Sequence, residues 1–284
     1  MATGTAANAL AIAAVTPPWG VVYCHGESHI QVDECGAPEF FTGGAKLMPL
    51  EGADGKITPA AVEAVLVEPG VVHSAQPACI SISQVTEAGT VYKVDEIAAL
   101  GALAKRCGLA LHMDGARFAN AVAASNASPA ALTWRAGVDV LSFGATKNGA
   151  LAAEAIIVFD PARAADLAYR RKRGGHLFSK MRFLSAQLDA YLAGDLWLRN
   201  ARHANRMAAR LADGLRSVPG ARLRHPVDAN EIFVELPDAT VEHLHATGFQ
   251  FYRWDATAIR LVTAFDTKAE DVDAFIATAR AWQK

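Results

Sequence analysis

No apolar run in this sequence reaches the roughly eighteen residues that a membrane-spanning helix needs. Nor does a positively charged segment precede the apolar stretch ANALAIAAV near the start, as it would in a secretion signal. Together these absences predict a cytoplasmic protein. Charge of one sign is not in excess either: the net charge is −2, with just over half of the 284 residues hydrophobic and a fifth charged. Such a balance gives no reason to expect nucleic acid or an anionic membrane as partner. Cysteine is scarce. Cys24, Cys35, Cys79 and Cys107 are widely spaced, with no C-x-x-C and no histidine at metal-ligand spacing, so no metal site is expected and the four read as buried free thiols. Internal repeats and low-complexity segments are absent as well. The positive charges do gather once, in RRKRGGH from Arg170 to His176, which reads equally as an anion site or a solvated helix end.

What is present is an alternation. Short apolar runs, VVYC (21–24), AKLMPL (45–50), ACISIS (78–83), LALHM (109–113), DVLSF (139–143) and EAIIVF (154–159), are separated by helical patterns. TPAAVEAVL opens with a threonine cap and a proline at the first helical position, and VDEIAALGALAKRCG repeats apolar residues at helical spacing and stops at Gly108. Strands that are nearly continuous apolar runs are buried on both faces, which predicts an α/β layered domain with a largely parallel sheet. Beyond residue 160 the pattern turns helical, including a long amphipathic helix over 196–218. A compact set follows: strand EIFVEL, helix TVEHLHAT, strands FQFYRW and AIRLVTAF, and a closing helix from Lys268. It predicts a small α/β domain with antiparallel strands, giving two domains, 1–190 and 191–284.

Asp114 and Lys147 each lie just beyond an apolar strand. In an open α/β sheet ligands bind in the crevice at the carboxyl ends of the strands, so both side chains are expected to face one pocket. Lys147 has small neighbours, Gly144, Ala145, Thr146 and Gly149, that let a bulky partner approach, and desolvation there makes it a nucleophilic amine. A cofactor that requires both a lysine amine and a carboxylate is pyridoxal phosphate, whose pyridine nitrogen the carboxylate keeps protonated. An ordinary Asp–Lys ion pair explains these two residues equally well. Near the start, Gly4 and Thr5 precede a helical pattern, where free backbone N–H groups cradle an anion or a plain N-cap forms.

Taken together, HMDGARFANAV, SFGATKNGALAAEAIIVF, ATGTAANAL, CHGESHIQVDECGAPEFFTGGAKL and IRLVTAFD are similar to the threonine aldolase family of fold-type I pyridoxal-phosphate enzymes, in order along essentially the whole chain. The low-specificity and phenylserine aldolase-like branch is the nearest in pattern. The resemblance implies the aspartate aminotransferase fold: a large cofactor domain with a mainly parallel sheet, a small C-terminal α/β domain, and a homodimer or homotetramer with shared active sites. It implies a lyase that cleaves L-threonine, L-allo-threonine or phenylserine-like substrates to glycine and an aldehyde. Other β-eliminating lyase or aminotransferase chemistry is compatible with the same fold.

Carried over position by position, Lys147 resembles the lysine that bonds to the cofactor's aldehyde, and Asp114 the partner of its pyridine nitrogen. Gly4 and Thr5 match the phosphate cup. His29 matches an imidazole that lies on the cofactor ring and takes part in proton transfer. Arg117 and Arg260 match a pair that holds the substrate carboxylate, a role that suits the planar guanidinium fork. Arg182 corresponds to a basic residue that reaches a phosphate across a dimer interface. Part of the family carries a histidine after the third strand, where this sequence has Thr86 and Glu87. The base that takes the substrate's hydroxyl proton is therefore His29, Glu87 through a water, or another group, while Thr86 either contacts the cofactor or closes a turn. Relatives also carry several dozen residues ahead of the phosphate cup, and the chain is expected to lack that segment and to be either a wrongly started frame or an inactive fragment.

Overall fold

The computed structural model describes residues 1–281. A helix, Gly4–Val15, leads into β1 (Gly20–His25). β2 (Lys46–Leu50), β3 (Gln76–Ser83), β4 (Ala110–Gly115), β5 (Val140–Gly144) and β6 (Glu154–Val158) follow, and the six form one sheet in the order β2-β1-β3-β4-β5-β6. β1, β4 and β5 are buried at every residue, as strands sandwiched between helical layers must be. Tyr23, Ile80, Leu100, Leu111, Met113 and Leu132 fill the main core. The pairings β1 to β2, β1 to β3, β3 to β4 and β4 to β5 are parallel, while β6 runs antiparallel to β5 at the sheet edge. That reversal follows from the connection: the turn between residues 144 and 154 holds only the short helical turn Thr146–Asn148, too little for the crossover a parallel strand needs.

Local signals largely set where the elements begin and stop. Thr58 caps the helix Pro59–Glu63, accepting the Ala61 N–H at 3.2 Å, although the helix is shorter than the TPAAVEAVL pattern implied. The helix Val94–Cys107 ends where Gly108 adopts φ +68°, as its position predicted.

The second sheet is antiparallel. β7 (Arg222–Leu223), β8 (Glu231–Glu235), β9 (Tyr252–Arg253) and β10 (Ala258–Val262) stand in the order β7-β8-β10-β9. The segment FQFYRW contributes only two residues to this ladder, because Phe249 and Phe251 turn inward against the ring of Phe275. The long helix Leu196–Leu215 serves both units. Trp197 and Leu198 pack on the large core, while Ala208, Leu211, Ala212 and Leu215 join Ile232, Val234 and Ile259 in the small one.

All four cysteines are free, but the expectation that all are buried holds only for Cys24 and Cys79; Cys107 is half-buried and Cys35 is exposed. Cys35 lies in a turn, at φ +52°. Among the described residues no helix is long and apolar enough to cross a membrane.

Candidate active site

The carboxyl ends of β3 and β4 open onto a cleft of about 640 Å³, which the start of the first helix and residues of β8 and β10, the central strands of the second sheet, complete. Asp114 is the penultimate residue of β4 and is buried. Its Oδ1 accepts the Ala116 N–H at 2.9 Å, and its Oδ2 accepts Asn8 Nδ2–H at 2.7 Å. Lys147 stands in the short turn beyond β5, which is anchored by Asn148 Nδ2 donating to the Trp197 carbonyl at 2.9 Å. The lysine forms no hydrogen bond or ion pair with a described residue and is accessible from the cleft. The cleft walls nevertheless strip away much of its hydration, which with the nearby Arg117 charge holds its amine below the ordinary lysine pKa.

At the first helix, Thr3 is the N-cap, its Oγ1 accepting the Ala6 N–H at 3.2 Å. Capping therefore falls to Thr3, and Gly4 and Thr5 are the first helical residues. Their N–H groups have no acceptor among the described residues, and a Cβ built on Gly4 would meet nothing within 4 Å. This helix end is an open cradle for an anion.

His29 begins the short helix His29–Val32, and its Nδ1 lies 2.9 Å from Glu34 Oε1. That carboxylate raises the imidazole pKa above its usual value, outweighing the opposing effect of burial. Asn8 Nδ2 also donates to Glu34 Oε1, at 2.9 Å, so the one carboxamide joins Glu34 to Asp114. Glu87 Oε1 accepts the His29 backbone N–H at 2.8 Å and the Ser83 hydroxyl at 2.6 Å, while its Oε2 is buried without a partner. Burial pushes the Glu87 carboxyl up to about 7. Thr86 closes a turn, its Oγ1 bonding the Asp54 carbonyl at 3.1 Å and facing Thr90 Oγ1 at 2.8 Å.

Arg117 and Arg260 converge although one follows β4 and the other lies on β10. Between them sits Glu231, at the start of β8 and 1% exposed. Arg117 Nη1 lies 3.0 Å from Glu231 Oε2, and Arg260 donates to Oε1 through Nε at 3.0 Å and through Nη2. The Arg260 guanidinium also lies over the Trp254 ring, 5.7 Å from its centroid. Burial lowers the Arg117 pKa, and Glu231 opposes that shift. Two cations and one anion leave this cluster with a surplus positive charge facing the cleft.

The structure thus brings Gly4, Thr5, His29, Glu87, Asp114, Arg117, Lys147 and Arg260 into one cleft. It leaves Arg182 out: that side chain is exposed on the helix Arg182–Leu192, its guanidinium 5.1 Å from the Phe183 ring centroid. The run Arg170–Arg173 closes the helix Leu167–Arg173 away from this cleft, with Arg171 Nε donating to the His176 carbonyl at 2.9 Å. Asn8, Glu34 and Glu231 escaped the sequence reading. Asn8 carried a usable signal, since four residues after Gly4 on a helix it shares that residue's face. Glu231 carried none.

A lysine beyond one strand, a carboxylate at the end of its neighbour, an open helix N-terminus and a converging arginine pair, one from beyond β4 and one from β10, define a fold-type I pyridoxal-phosphate enzyme. The sequence model of the family described as beta-eliminating lyase matches residues 1–239. The chain is 46% identical over 270 residues to the low specificity L-threonine aldolase of Pseudomonas aeruginosa, covering 95% of this chain and 78% of that one. It is 43% identical to the enzyme of the same name from a Pseudomonas species, over 98% of this chain and 81% of the relative. In three dimensions it superposes on a threonine aldolase of Leishmania major with a TM-score of 0.90 at 30% identity, over 99% of this chain and 82% of that one. This protein belongs to the threonine aldolase members of the beta-eliminating lyase family.

Proposed function

We propose that the protein cleaves β-hydroxy-α-amino acids of the threonine or phenylserine type to glycine and an aldehyde, with pyridoxal phosphate held in the cleft. What supports this most is the meeting of an unpaired lysine, a buried carboxylate and a two-arginine cluster in one cleft, in a chain akin to low specificity L-threonine aldolases. The residues fit the cofactor. The free N–H groups of Gly4 and Thr5 suit its phosphate, Asp114 its pyridine nitrogen and Lys147 its aldehyde carbon. When bound, the cofactor supplies an electron sink for the pair left at Cα as the Cα–Cβ bond breaks.

Arg117 and Arg260 take the substrate carboxylate through the N–H groups that Glu231 leaves free. Holding the carboxylate turns the substrate about Cα, and the orientation of the Cα–Cβ bond decides which bond breaks. His29 accepts the substrate's hydroxyl proton as the aldehyde forms, and Glu87 acting through a water is the second candidate. Arg182 stays outside its own cleft, so its proposed phosphate contact is to the cofactor of a second copy. The family resemblance supports a cytoplasmic homodimer or homotetramer divided into domains 1–190 and 191–284, and the exposed Trp19, Phe40 and Tyr169 suit an interface between copies.

The test is a panel of amino acids incubated with the purified protein and pyridoxal phosphate. Glycine plus an aldehyde is the expected product pair, and a Lys147→Ala variant should lose both the turnover and the visible absorption of bound cofactor. Keto acid or ammonia in place of glycine would refute the reading in favour of transamination or β-elimination.

A further inference from the structure

Glu34 is a buried carboxylate with no part in the chemistry so far. Its position is built by the backbone: Cys35 and Gly36, at φ +52° and +72°, turn the chain directly after it. The second of these conformations is one that glycine adopts at little cost. With the short helix His29–Val32 before it and this turn behind it, the 3% exposed Glu34 faces back toward His29. One oxygen, Oε1, meets both His29 Nδ1 and Asn8 Nδ2, each at 2.9 Å. Both N–H bonds of the Asn8 amide are then used, one on Glu34 and one on Asp114, and the reverse amide orientation would set an oxygen against two carboxylates. His29 Nε2 has no partner among the described residues, and the residue lines the cleft.

We propose that Glu34 is the positioning residue of His29: it holds the imidazole as the Nδ1–H tautomer with Nε2 as the free base, and Asn8 ties this pair to Asp114. The inference rests on the proposed role of His29 in the proton transfer. A carboxylate behind an imidazole fixes ring orientation and tautomer and stabilises the protonated ring once the proton has moved. The other charged groups around this ring are Asp114, Lys147 and the Glu87 carboxyl that accepts its backbone N–H. Asp114 acts in the same sense as Glu34, and Lys147 opposes it.

The experiment has two arms. In the first, nitrogen chemical shifts of the histidines are recorded on the cofactor-free wild-type protein, with His29 assigned by its loss in His29→Asn. The neutral ring should be the Nδ1–H tautomer, and an Nε2–H tautomer overturns the proposal without any change at Glu34. In the second, Glu34→Gln preserves volume but removes the charge. The His29 titration should move to lower pH, and kcat should fall about 10- to 100-fold with KM little changed. The acid limb of the kcat profile should move with the titration, and Glu34→Asp should recover part of the loss. An unmoved titration overturns the proposal. A titration that moves while the kcat profile stays in place refutes instead the His29 role on which it rests, and the proposal falls with it.

Discussion

Replacing Glu231 with alanine removes the only carboxylate that Arg117 and Arg260 share among the described residues. Two guanidiniums are then left facing each other across a small void. Breaking a fully buried pair by deleting one partner costs about 3–5 kcal/mol, since the remaining charge keeps its desolvation penalty. Here Glu231 is 1% exposed, but the side chains of Arg117 and Arg260 keep 12% and 27% of their exposure, so water recovers part of the loss. About 2–3 kcal/mol is the resulting expectation. In a chain of this size that lowers Tm by about 3–5 °C, read as a circular dichroism melt at neutral pH. Because the void is carboxylate-shaped and cationic, formate should restore part of the loss, and chloride at the same ionic strength should restore less. Glu231→Gln, which keeps the volume and one acceptor, should fall between. The KM for the amino acid should rise more than kcat falls, because the arginines lose the group that aims them. A variant that melts within about 1 °C of wild type and does not respond to formate would show that the cluster carries no stability, and the reasoning would fail.

Two further outcomes follow from buried contacts. Glu87 has its carboxyl raised from 4.5 to about 7 by burial, so the protonated form suits the folded state. Its contribution is complete below about 4.5 and is lost as pH rises through about 7, at most about 3 kcal/mol in all. Urea unfolding at pH 5 and pH 8 should show that part of the pH dependence vanish in Glu87→Gln, and an identical slope in both proteins would contradict it. Gly101 lies inside the helix Val94–Cys107, where alanine ordinarily gains about 1 kcal/mol. A Cβ at this position would stand 2.1 Å from the Ala136 carbonyl oxygen, so Gly101→Ala should destabilise by about 1–3 kcal/mol, and a raised Tm would refute the packing.

What the sequence determined by itself was the layered plan and the chemistry placed at strand ends. Apolar runs such as LALHM and DVLSF read as buried strands because burial on both faces leaves no polar alternation. Asp114 and Lys147 stood out because charges directly after such runs have somewhere specific to go. Arg117, three residues past Asp114, came with them. Family resemblance then supplied roles for Gly4, Thr5, His29 and Arg260 that spacing alone did not reveal.

Tertiary structure decided the partners. Glu231 reads in sequence as one more residue opening a strand, yet it is the carboxylate between two arginines from different sheets. Glu34 and Asn8 become one network with Asp114 only when the first helix packs against β4 and the strands beside it. The reversal of β6 and the contact of Gly101 with Ala136 are of the same kind. The physical reason is one of range. Periodicity records which face of an element is buried, a property of neighbouring residues. Which charge meets which depends on strand order and on how the second sheet docks, and no local pattern carries that.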